Sequence, residues 1–125
     1  MIKTLVRRKS KIHGFGIFAN RDIAKGEDFY EIPLSSISKK PRPRHAFIGK
    51  NSWVNDPQVL NYINHSCDSN IKLDISKEKP ILIAKRDIKK GEEMTCDYNE
   101  TEKGGNKVAC NCGSKKCRGY FIRIE

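Results

Sequence analysis

The chain has 125 residues, with 25 Lys and Arg against 15 Asp and Glu, a formal net charge of +10 at pH 7. This length suits one domain, which buries about two-thirds of the surface of its unfolded chain. No stretch approaches the roughly 20 apolar residues of a membrane span, and the apolar run before Arg7 is too short to predict a signal peptide. We therefore expect a soluble intracellular protein, in the cytoplasm or the nucleus or nucleoid, that is not secreted. The charge favours an acidic surface or a nucleic acid as partner, although a basic protein without a specific polyanion also fits.

Short apolar runs predict a mostly β chain with little helix. One heptapeptide, Arg21–Glu27 (RDIAKGE), recurs as Arg86–Glu92 (RDIKKGE), and each copy is flanked by strand-like segments. The Lys-Gly pair in each copy is typical of a turn, because glycine adopts positive φ without steric cost. The repeat therefore predicts two units of strand, polar turn and strand. Strands are expected within residues 4–9, 16–19, 28–32, 71–75, 80–84 and 93–97.

Residues 33–52 are the least regular part of the sequence. The basic stretch 39–45 (KKPRPRH) contains two prolines and cannot form a helix or a central strand. It is either a solvated loop or a rim that meets an acidic ligand. Next, Asp56-Pro57 resembles an N-cap and first helical residue, which predicts a short helix towards Ile63 that delivers Asn64 and His65 at its end.

The cysteines favour a metal site over disulfides. There are five, an odd number, and three of them form the pattern Cys-x-Cys-x4-Cys at Cys110, Cys112 and Cys117. This spacing suits tetrahedral zinc, whereas disulfides would leave one thiol over and strain a Cys-x-Cys bridge. On the residues alone, the fourth ligand is Cys67, Cys96 or His65.

Three further motifs are weak when taken one at a time. Gly14-Phe15-Gly16 is usually a turn, although it also lets backbone amides approach a ligand closely. The Asn64-His65 pair often does no more than satisfy buried backbone groups. A tyrosine after a strand, as in Asp97-Tyr98, is more often core or rim than catalyst.

Their combination and order are informative. The segments Gly14–Ala19 (GFGIFA), Asn64–Asn70 (NHSCDSN), Gly91–Tyr98 (GEEMTCDY) and Cys110–Gly119 (CNCGSKKCRG) resemble those of a SET-domain protein-lysine methyltransferase with a post-SET zinc motif. The resemblance covers residues 5–121 and implies a minimal single-domain member, with a SET domain over 1–109 and a post-SET tail over 110–125. It implies a fold of small β-sheets with a C-terminal pseudoknot, in which the Tyr98 segment passes beneath a loop beside Asn64 and His65.

The resemblance also implies a set of site residues. Tyr98 would be the catalytic residue, and zinc would bind Cys67, Cys110, Cys112 and Cys117. S-adenosylmethionine would be the cofactor, contacted by Gly14, Phe15, Gly16, Asn64, His65 and Phe121. The lysine channel would be lined by Tyr62, Cys96 and Tyr98.

Cys96 departs from the family pattern. It stands where many members carry a Phe or Tyr that limits the number of methyl groups. A thiol is much smaller than an aromatic ring, so we expect a wider channel that permits more than one methyl per lysine.

The resemblance implies a substrate protein that presents a lysine. An acidic substrate and a chromatin-associated one both fit, and the sequence selects neither. Two other functions fit the sequence less well. One is a catalytically silent SET module that binds a peptide or the cofactor. The other is a small basic zinc protein that binds DNA or RNA with a steep salt dependence and has no affinity for the cofactor.

Overall fold

A computed structural model describes residues 4–110 and 112–124, so both chain ends and Asn111 of the cysteine motif lie outside the described residues. Within them the chain forms short strands and very little helix. The strands are β1 Leu5–Lys9, β2 Phe15–Ala19, β3 Asp28–Glu31, β4 Ile37–Ser38, β5 His45–Gly49, β6 Ser52–Asn55, β7 Asn64–His65, β8 Ile71–Asp74, β9 Ile81–Ala84, β10 Glu93–Cys96, β11 Asn106–Ala109 and β12 Tyr120–Arg123. The helical elements are a 3-10 helix, Leu60–Tyr62, and the four-residue helix α1, Tyr98–Thr101.

The strands make four small sheets, which confirms the predicted fold class. Their strand orders are β1-β2-β10-β7, β3-β9-β8, β4-β6-β5 and β11-β12. Neighbouring strands are antiparallel except for β7 and β10, which are parallel. No helix in the described part of the chain has the length and apolar character needed to cross a bilayer.

Residues 33–52 are more ordered than their sequence predicts. The basic stretch 39–44 is a loop, as expected, but β4 precedes it and β5 follows it. β5 turns into β6 through Lys50 and Asn51, whose φ angles are 51° and 52°. Positive φ at both central residues is the geometry of a tight hairpin turn that usually selects Asn-Gly. A lysine in that position gives the sequence no hairpin signal.

The predicted helix from Pro57 to Ile63 is wrong. Only the 3-10 helix Leu60–Tyr62 forms there, and its N-cap position is Val59, whose side chain makes no capping bond, instead of Asp56. The fully buried carboxylate of Asp56 accepts the backbone N–H groups of Gln58 and Leu60, both at 3.2 Å, and the hydroxyl of Tyr30 at 2.8 Å. These bonds hold the segment in a compact turn that leads into β7.

One apolar core joins the sheets. Its members are contributed mainly by β2, β8, β9 and β10 and by the residues that flank them. Those with no more than 2% exposure are Ile17, Ala19, Ile23, Ile32, Val54, Val59, Ile63, Ile71, Leu82, Ala84, Ile88 and Met94.

The two copies of the heptapeptide pair with each other across a local pseudo-twofold axis. We call residues 21–27 and 86–92 the double turn. Ile23 and Ile88 exchange both backbone hydrogen bonds at 2.8 Å. The side chains repeat the symmetry, because Asp87 accepts the N–H of Lys25 and Asp22 accepts the N–H of Lys90, each at 2.8 Å. The repeat is therefore a structural clasp between two strand–turn–strand units.

A second pairing positions the predicted site. Strands β7 and β10 are parallel, with Asn64 opposite Thr95 and His65 opposite Cys96. Asn70 strengthens this pairing, because its side chain accepts the N–H of Thr95 and donates to the carbonyl of Glu93, both at 2.8 Å. The segments 63–70 and 93–98 are thus interlocked, in agreement with the predicted pseudoknot.

Candidate active site and metal centre

The Gly14–Gly16 loop is fastened to β7 by the side chain of Asn64. The buried amide Nδ2 of Asn64 lies 3.0 Å from the carbonyl oxygen of His13 and 3.2 Å from that of Phe15. It also lies 3.0 Å from Oγ of Ser10 and 2.9 Å from the carboxylate of Glu93. Asn64 therefore sets the position of the glycine loop, while no donor in the described residues reaches its Oδ1.

Glu93 and Ser10 complete this loop anchor, and sequence reasoning missed both. Oγ of Ser10 donates to the Glu93 carboxylate at 2.8 and 2.9 Å, across 83 residues of sequence. A Cβ at Gly16 would overlap that carboxylate, so Glu93 would have to move if the second glycine of the motif were replaced. Glu93 directly follows the second copy of the heptapeptide, and nothing in the local sequence distinguishes it from the surface glutamates.

His65 faces away from the glycine loop, towards the cysteines and Tyr98. Its Nδ1 accepts the backbone N–H of Tyr98 at 3.0 Å, and its Nε2 lies 3.3 Å from Sγ of Cys67. Burial lowers the pKa of His65, so the ring is neutral. Because Nδ1 is an acceptor, the proton of the neutral ring is assigned to Nε2, which donates to the Cys67 sulfur.

Three rings meet at this point. His65 stacks on Phe121 with centroids 4.7 Å apart and an interplanar angle of 21°. Tyr98 contacts both rings, at 5.3 Å from His65 and 5.5 Å from Phe121. The structure thus brings together three residues that the sequence places 33 and 23 positions apart.

The hydroxyl of Tyr98 is fixed by the backbone. It donates to the carbonyl oxygen of Ile63 at 2.5 Å. Burial raises the pKa of Tyr98, so the phenol stays protonated at neutral pH. Its oxygen keeps lone pairs with which it can accept a hydrogen bond, but Tyr98 is not a base.

The other residues predicted near the site lie in two different environments. Tyr62 carries the Arg7 guanidinium over its ring at 4.6 Å, and the same guanidinium lies 5.5 Å from the ring of Phe15. Phe15 is 49% exposed, so this group forms an open surface beside the glycine loop. Cys96 is instead buried in the apolar core, where burial raises the pKa of its thiol to about 12.

The four cysteines assigned to zinc by resemblance form one cluster. Their Sγ atoms all lie within 4.8 Å of one another, and those of Cys67 and Cys110 are 3.9 Å apart. Four sulfurs about 2.3 Å from one zinc ion would be about 3.8 Å apart, so the cluster fits tetrahedral zinc. Cys96 is not a member, although it was an open alternative as fourth ligand.

The surroundings of the cluster suit bound thiolates. Backbone N–H groups of Arg118 and Gly119 point at Sγ of Cys67 and Cys117, at 3.3 and 3.4 Å. The thiols do not share one affinity for protons: burial raises the pKa of Cys110 to about 12. Burial also opposes the thiolate of Cys112, but the N–H groups of Cys67 and Ser114 outweigh it and lower the pKa of Cys112 to about 6. A cation at the centre of the cluster, such as Zn²⁺, would favour the ionised form of all four thiols.

Arg118 connects this cluster to the active-site segment, a role that sequence reasoning missed. Its backbone donates to Cys67, while its guanidinium forms two bonds to the carboxylate of Asp97, at 2.7 and 3.0 Å. Burial acts against the Asp97 carboxylate, but the Arg118 guanidinium and the N–H of Asn99 hold the pKa of Asp97 below its usual range. Asp97 directly precedes Tyr98, so the bridge ends beside the candidate catalytic residue.

Comparison with known proteins agrees with this geometry. Residues 14–99 match the family model of the SET domain. The chain is 31% identical to histone-lysine N-methyltransferase TRX1 of Oryza sativa, over 94% of this chain and 14% of that protein. It is 34% identical to the human histone-lysine N-methyltransferase 2B, over 90% of this chain and 5% of that protein, and 34% identical to the histone-lysine N-methyltransferase set-2 of Caenorhabditis elegans, over 90% and 9%. The chain thus spans a small part of the length of these relatives. The match across more than half of its residues shows that the chain belongs to the SET-domain family.

Proposed function

We propose that this chain methylates lysine side chains of a protein substrate with S-adenosylmethionine as methyl donor. One observation carries the proposal: the pairing of β7 with β10 brings Tyr98 and the glycine loop to the same place. The Tyr98 hydroxyl donates to the carbonyl oxygen of Ile63, and the next residue, Asn64, binds the carbonyl oxygen of His13 at the start of the loop. The named activity of the relatives, histone-lysine methylation, agrees with it.

The residues around the glycine loop fit the methyl donor. Gly14 is exposed and has open space where a side chain would stand, and the buried Asn64 amide contacts the carbonyl oxygens on both sides of it, those of His13 and Phe15. We assign cofactor contacts to Gly14, Phe15, Gly16, Asn64, His65 and Phe121. When bound, S-adenosylmethionine supplies a methyl group on a positively charged sulfur, already activated for attack by a neutral amine.

The chain's own task is to deliver and orient that amine. A lysine entering a narrow channel loses water, which lowers its pKa and favours the neutral, nucleophilic form. The Tyr98 oxygen accepts an N–H of the amine while its own O–H continues to donate to the Ile63 carbonyl oxygen. Alignment of two reactants can supply most of the needed rate enhancement, so no dedicated base is required.

The zinc ligands in this proposal are Cys67, Cys110, Cys112 and Cys117, and we assign residues 1–109 to the SET domain and residues 110–125 to a post-SET tail. An intracellular location suits both reduced thiols and the methyl donor. A histone is one candidate substrate, since the relatives are named for histones.

Methyl-labelled S-adenosylmethionine and a fractionated cell lysate test the proposal. We expect label on protein with the wild type and a loss of about 10²-fold for Tyr98→Phe, which removes the orienting hydroxyl but keeps the ring. Calorimetric affinity for S-adenosylmethionine should stay nearly unchanged in that variant. Tyr120→Phe, in the tail strand β12, is the matched control and should transfer methyl normally.

Two results would contradict the proposal. Cofactor binding without label on any protein would identify a silent SET module. Absence of cofactor affinity together with salt-sensitive binding of DNA or RNA would identify a basic zinc protein that binds nucleic acid.

A further inference from the structure

A continuous run of the chain that packs near α1, the helix that begins at Tyr98, has no acidic residue. Between Glu31 and Asp56 the sequence has no Asp or Glu, although the whole chain has 15. The same run folds into β4, β5 and β6 with their connections, residues 37–55, which we call the basic sheet. Its cations are Lys39, Lys40, Arg42, Arg44 and Lys50.

These cations are exposed and lack acidic partners. Ion pairs elsewhere in the described residues join Arg21 to Glu27, Lys79 to Glu31 and Arg118 to Asp97, but none includes a cation of the basic sheet. The loop 39–44 is nevertheless held in shape. Ser38 accepts the N–H of Lys40 at 3.1 Å and Nε of Arg42 at 3.2 Å, so the positive charges are presented on a defined surface.

The basic sheet is attached to the segment that follows Tyr98. Nε1 of Trp53 donates to the carbonyl of Lys103 at 2.9 Å, and the ammonium of Lys103 lies 5.9 Å from the ring of Phe47. A Cβ at Gly104 would overlap the ring of Pro41, so the basic loop itself rests on this segment. Lys103 is five residues after Tyr98, a span of at most roughly 17 Å.

The span from Tyr98 to Lys103 is short enough for residues that flank a target lysine to reach the basic sheet. An extended peptide advances about 3.3 Å per residue, so positions within about five residues of the lysine reach the basic sheet. An open cleft of about 300 Å³ lies between Phe47 of the basic sheet and Lys103, but Asp74 and Glu100 also line it. The unbalanced positive surface is therefore that of the sheet and not of the cleft.

The surface fits an acidic polypeptide better than single-stranded nucleic acid. Binding of single strands relies on exposed aromatic side chains on which bases stack. The two aromatic residues of the basic sheet pack against each other instead, with Phe47 and Trp53 centroids 5.3 Å apart and Trp53 only 8% exposed.

We propose that the basic sheet selects substrates in which Asp or Glu residues flank the target lysine. This inference rests on the proposed function, because the acidic residues act by bringing a lysine to Tyr98. It implies a preferred substrate unlike a basic, lysine-rich tail.

Peptide binding tests the inference without relying on turnover. The probes are two fluorescein-labelled 15-residue peptides with one central lysine, identical except that four flanking positions are Glu in one and Gln in the other. In 50 mM salt we expect the acidic peptide to bind roughly tenfold more tightly, the combined effect of several exposed charge pairs. The difference should shrink in 300 mM salt, where screening is stronger.

Charge-reversal variants test whether the preference for the acidic peptide comes from the basic sheet. Lys40→Glu with Arg44→Glu should abolish the preference, since neither side chain makes a hydrogen bond or ion pair within the described residues. Lys89→Glu with Lys90→Glu, on the double turn, changes the net charge equally and should retain it. Equal affinity for the two peptides, or equal loss in both double variants, would overturn the inference.

Two further measurements, of DNA binding and of peptide methylation, distinguish this inference from a nucleic-acid surface and from failure of the proposed function. If a 20-base-pair DNA duplex bound more tightly than the acidic peptide and depended on Lys40 and Arg44, the surface would belong to nucleic acid and the inference would be wrong. Methylation of both peptides at equal rates would leave the proposed function intact and reject the inference. Charge-selective binding without methylation would support the surface and reject the proposed function.

Discussion

Arg118 contacts the cysteine cluster with its backbone and the active-site segment with its side chain. Both carboxylate oxygens of Asp97 accept from its guanidinium, and only the planar fork of arginine makes such a two-point contact. Asp97 in turn caps α1 through the N–H of Asn99, at 3.0 Å. We infer that Arg118 is a positioning residue for Tyr98.

Arg118→Gln should lower the turnover number about tenfold, because Tyr98 loses its fixed orientation. The zinc content should remain one per chain, since the N–H that points at Cys67 belongs to the backbone. Arg118→Lys keeps the charge but not the two-point contact and should fall between wild type and Gln. Arg123→Gln, an exposed arginine of β12, is the control. Equal turnover in Arg118→Gln and Arg123→Gln would remove Arg118 from this role.

Glu102 makes stability depend on pH. Burial raises its pKa to about 7, from an ordinary value of 4.5, while its carboxylate accepts the N–H of Ile124 at 3.4 Å. The folded state therefore binds the proton more tightly than the unfolded state. The stabilisation is fully present below about pH 4.5 and is lost as the pH rises through about 7.

Glu102→Gln should remove this loss, because a neutral amide accepts the same hydrogen bond at every pH. The full shift of the Glu102 pKa corresponds to about 3 kcal/mol of folding free energy. We expect a difference of about 1–2 kcal/mol between variant and wild type, because the residue is only partly buried. Urea unfolding of the zinc-loaded protein at pH 6.0 and 8.5 measures it. The variant should have a higher free energy of unfolding than the wild type at pH 8.5. An increase of the same size at pH 6.0 would contradict the assignment.

At the scale of elements, the double turn adds the Ile23–Ile88 bridge to the β2–β10 and β3–β9 strand pairings that join the two copies of the repeat. Its symmetry makes a specific prediction. Asp22→Ala and Asp87→Ala each remove one acceptor of a backbone N–H, so each should lower the free energy of unfolding by about 1 kcal/mol. Asp28→Ala, an exposed aspartate of β3, is the control. A large effect from only one of the two aspartates would show that the clasp is not symmetric.

The elements that the sequence predicts are those whose burial leaves a local pattern. β2, β9 and β10 carry apolar runs and were expected within a residue or two of where they lie. β11 was not expected, because Asn106–Ala109 has mostly exposed residues and pairs only with β12, beyond the cysteine motif. β7 consists of two residues and owes its pairing to β10, which no local signal reveals.

The candidate site shows the same division. Tyr98, Asn64, His65 and the cysteines are recognisable because their motifs are distinctive. The roles of Glu93 and Arg118 were not predicted, because each residue acts through a partner far away in the sequence. Ser10 lies 83 residues from Glu93, and Cys67 lies 51 residues from Arg118. Common polar residues acquire such roles only through folding.

At the scale of the whole molecule, the cysteine cluster and the active site form one connected unit. Cys67 receives hydrogen bonds from His65 and from Arg118, and these two residues contact Tyr98 and Asp97. The tail strand β12 adds Phe121, which covers His65. Loss of the metal should therefore disturb cofactor binding and not only the tail.

Calorimetric titration of S-adenosylmethionine into zinc-loaded and zinc-stripped protein tests this account most directly. Under reducing conditions we expect one zinc per chain, with four Zn–S distances near 2.3 Å by X-ray absorption. Stripped protein should lose cofactor affinity and methyl transfer, and both should return on addition of one equivalent of Zn²⁺. Stripped protein with less than about 0.2 zinc per chain that kept full affinity and turnover would contradict the account, since structural zinc sites contribute directly to folding.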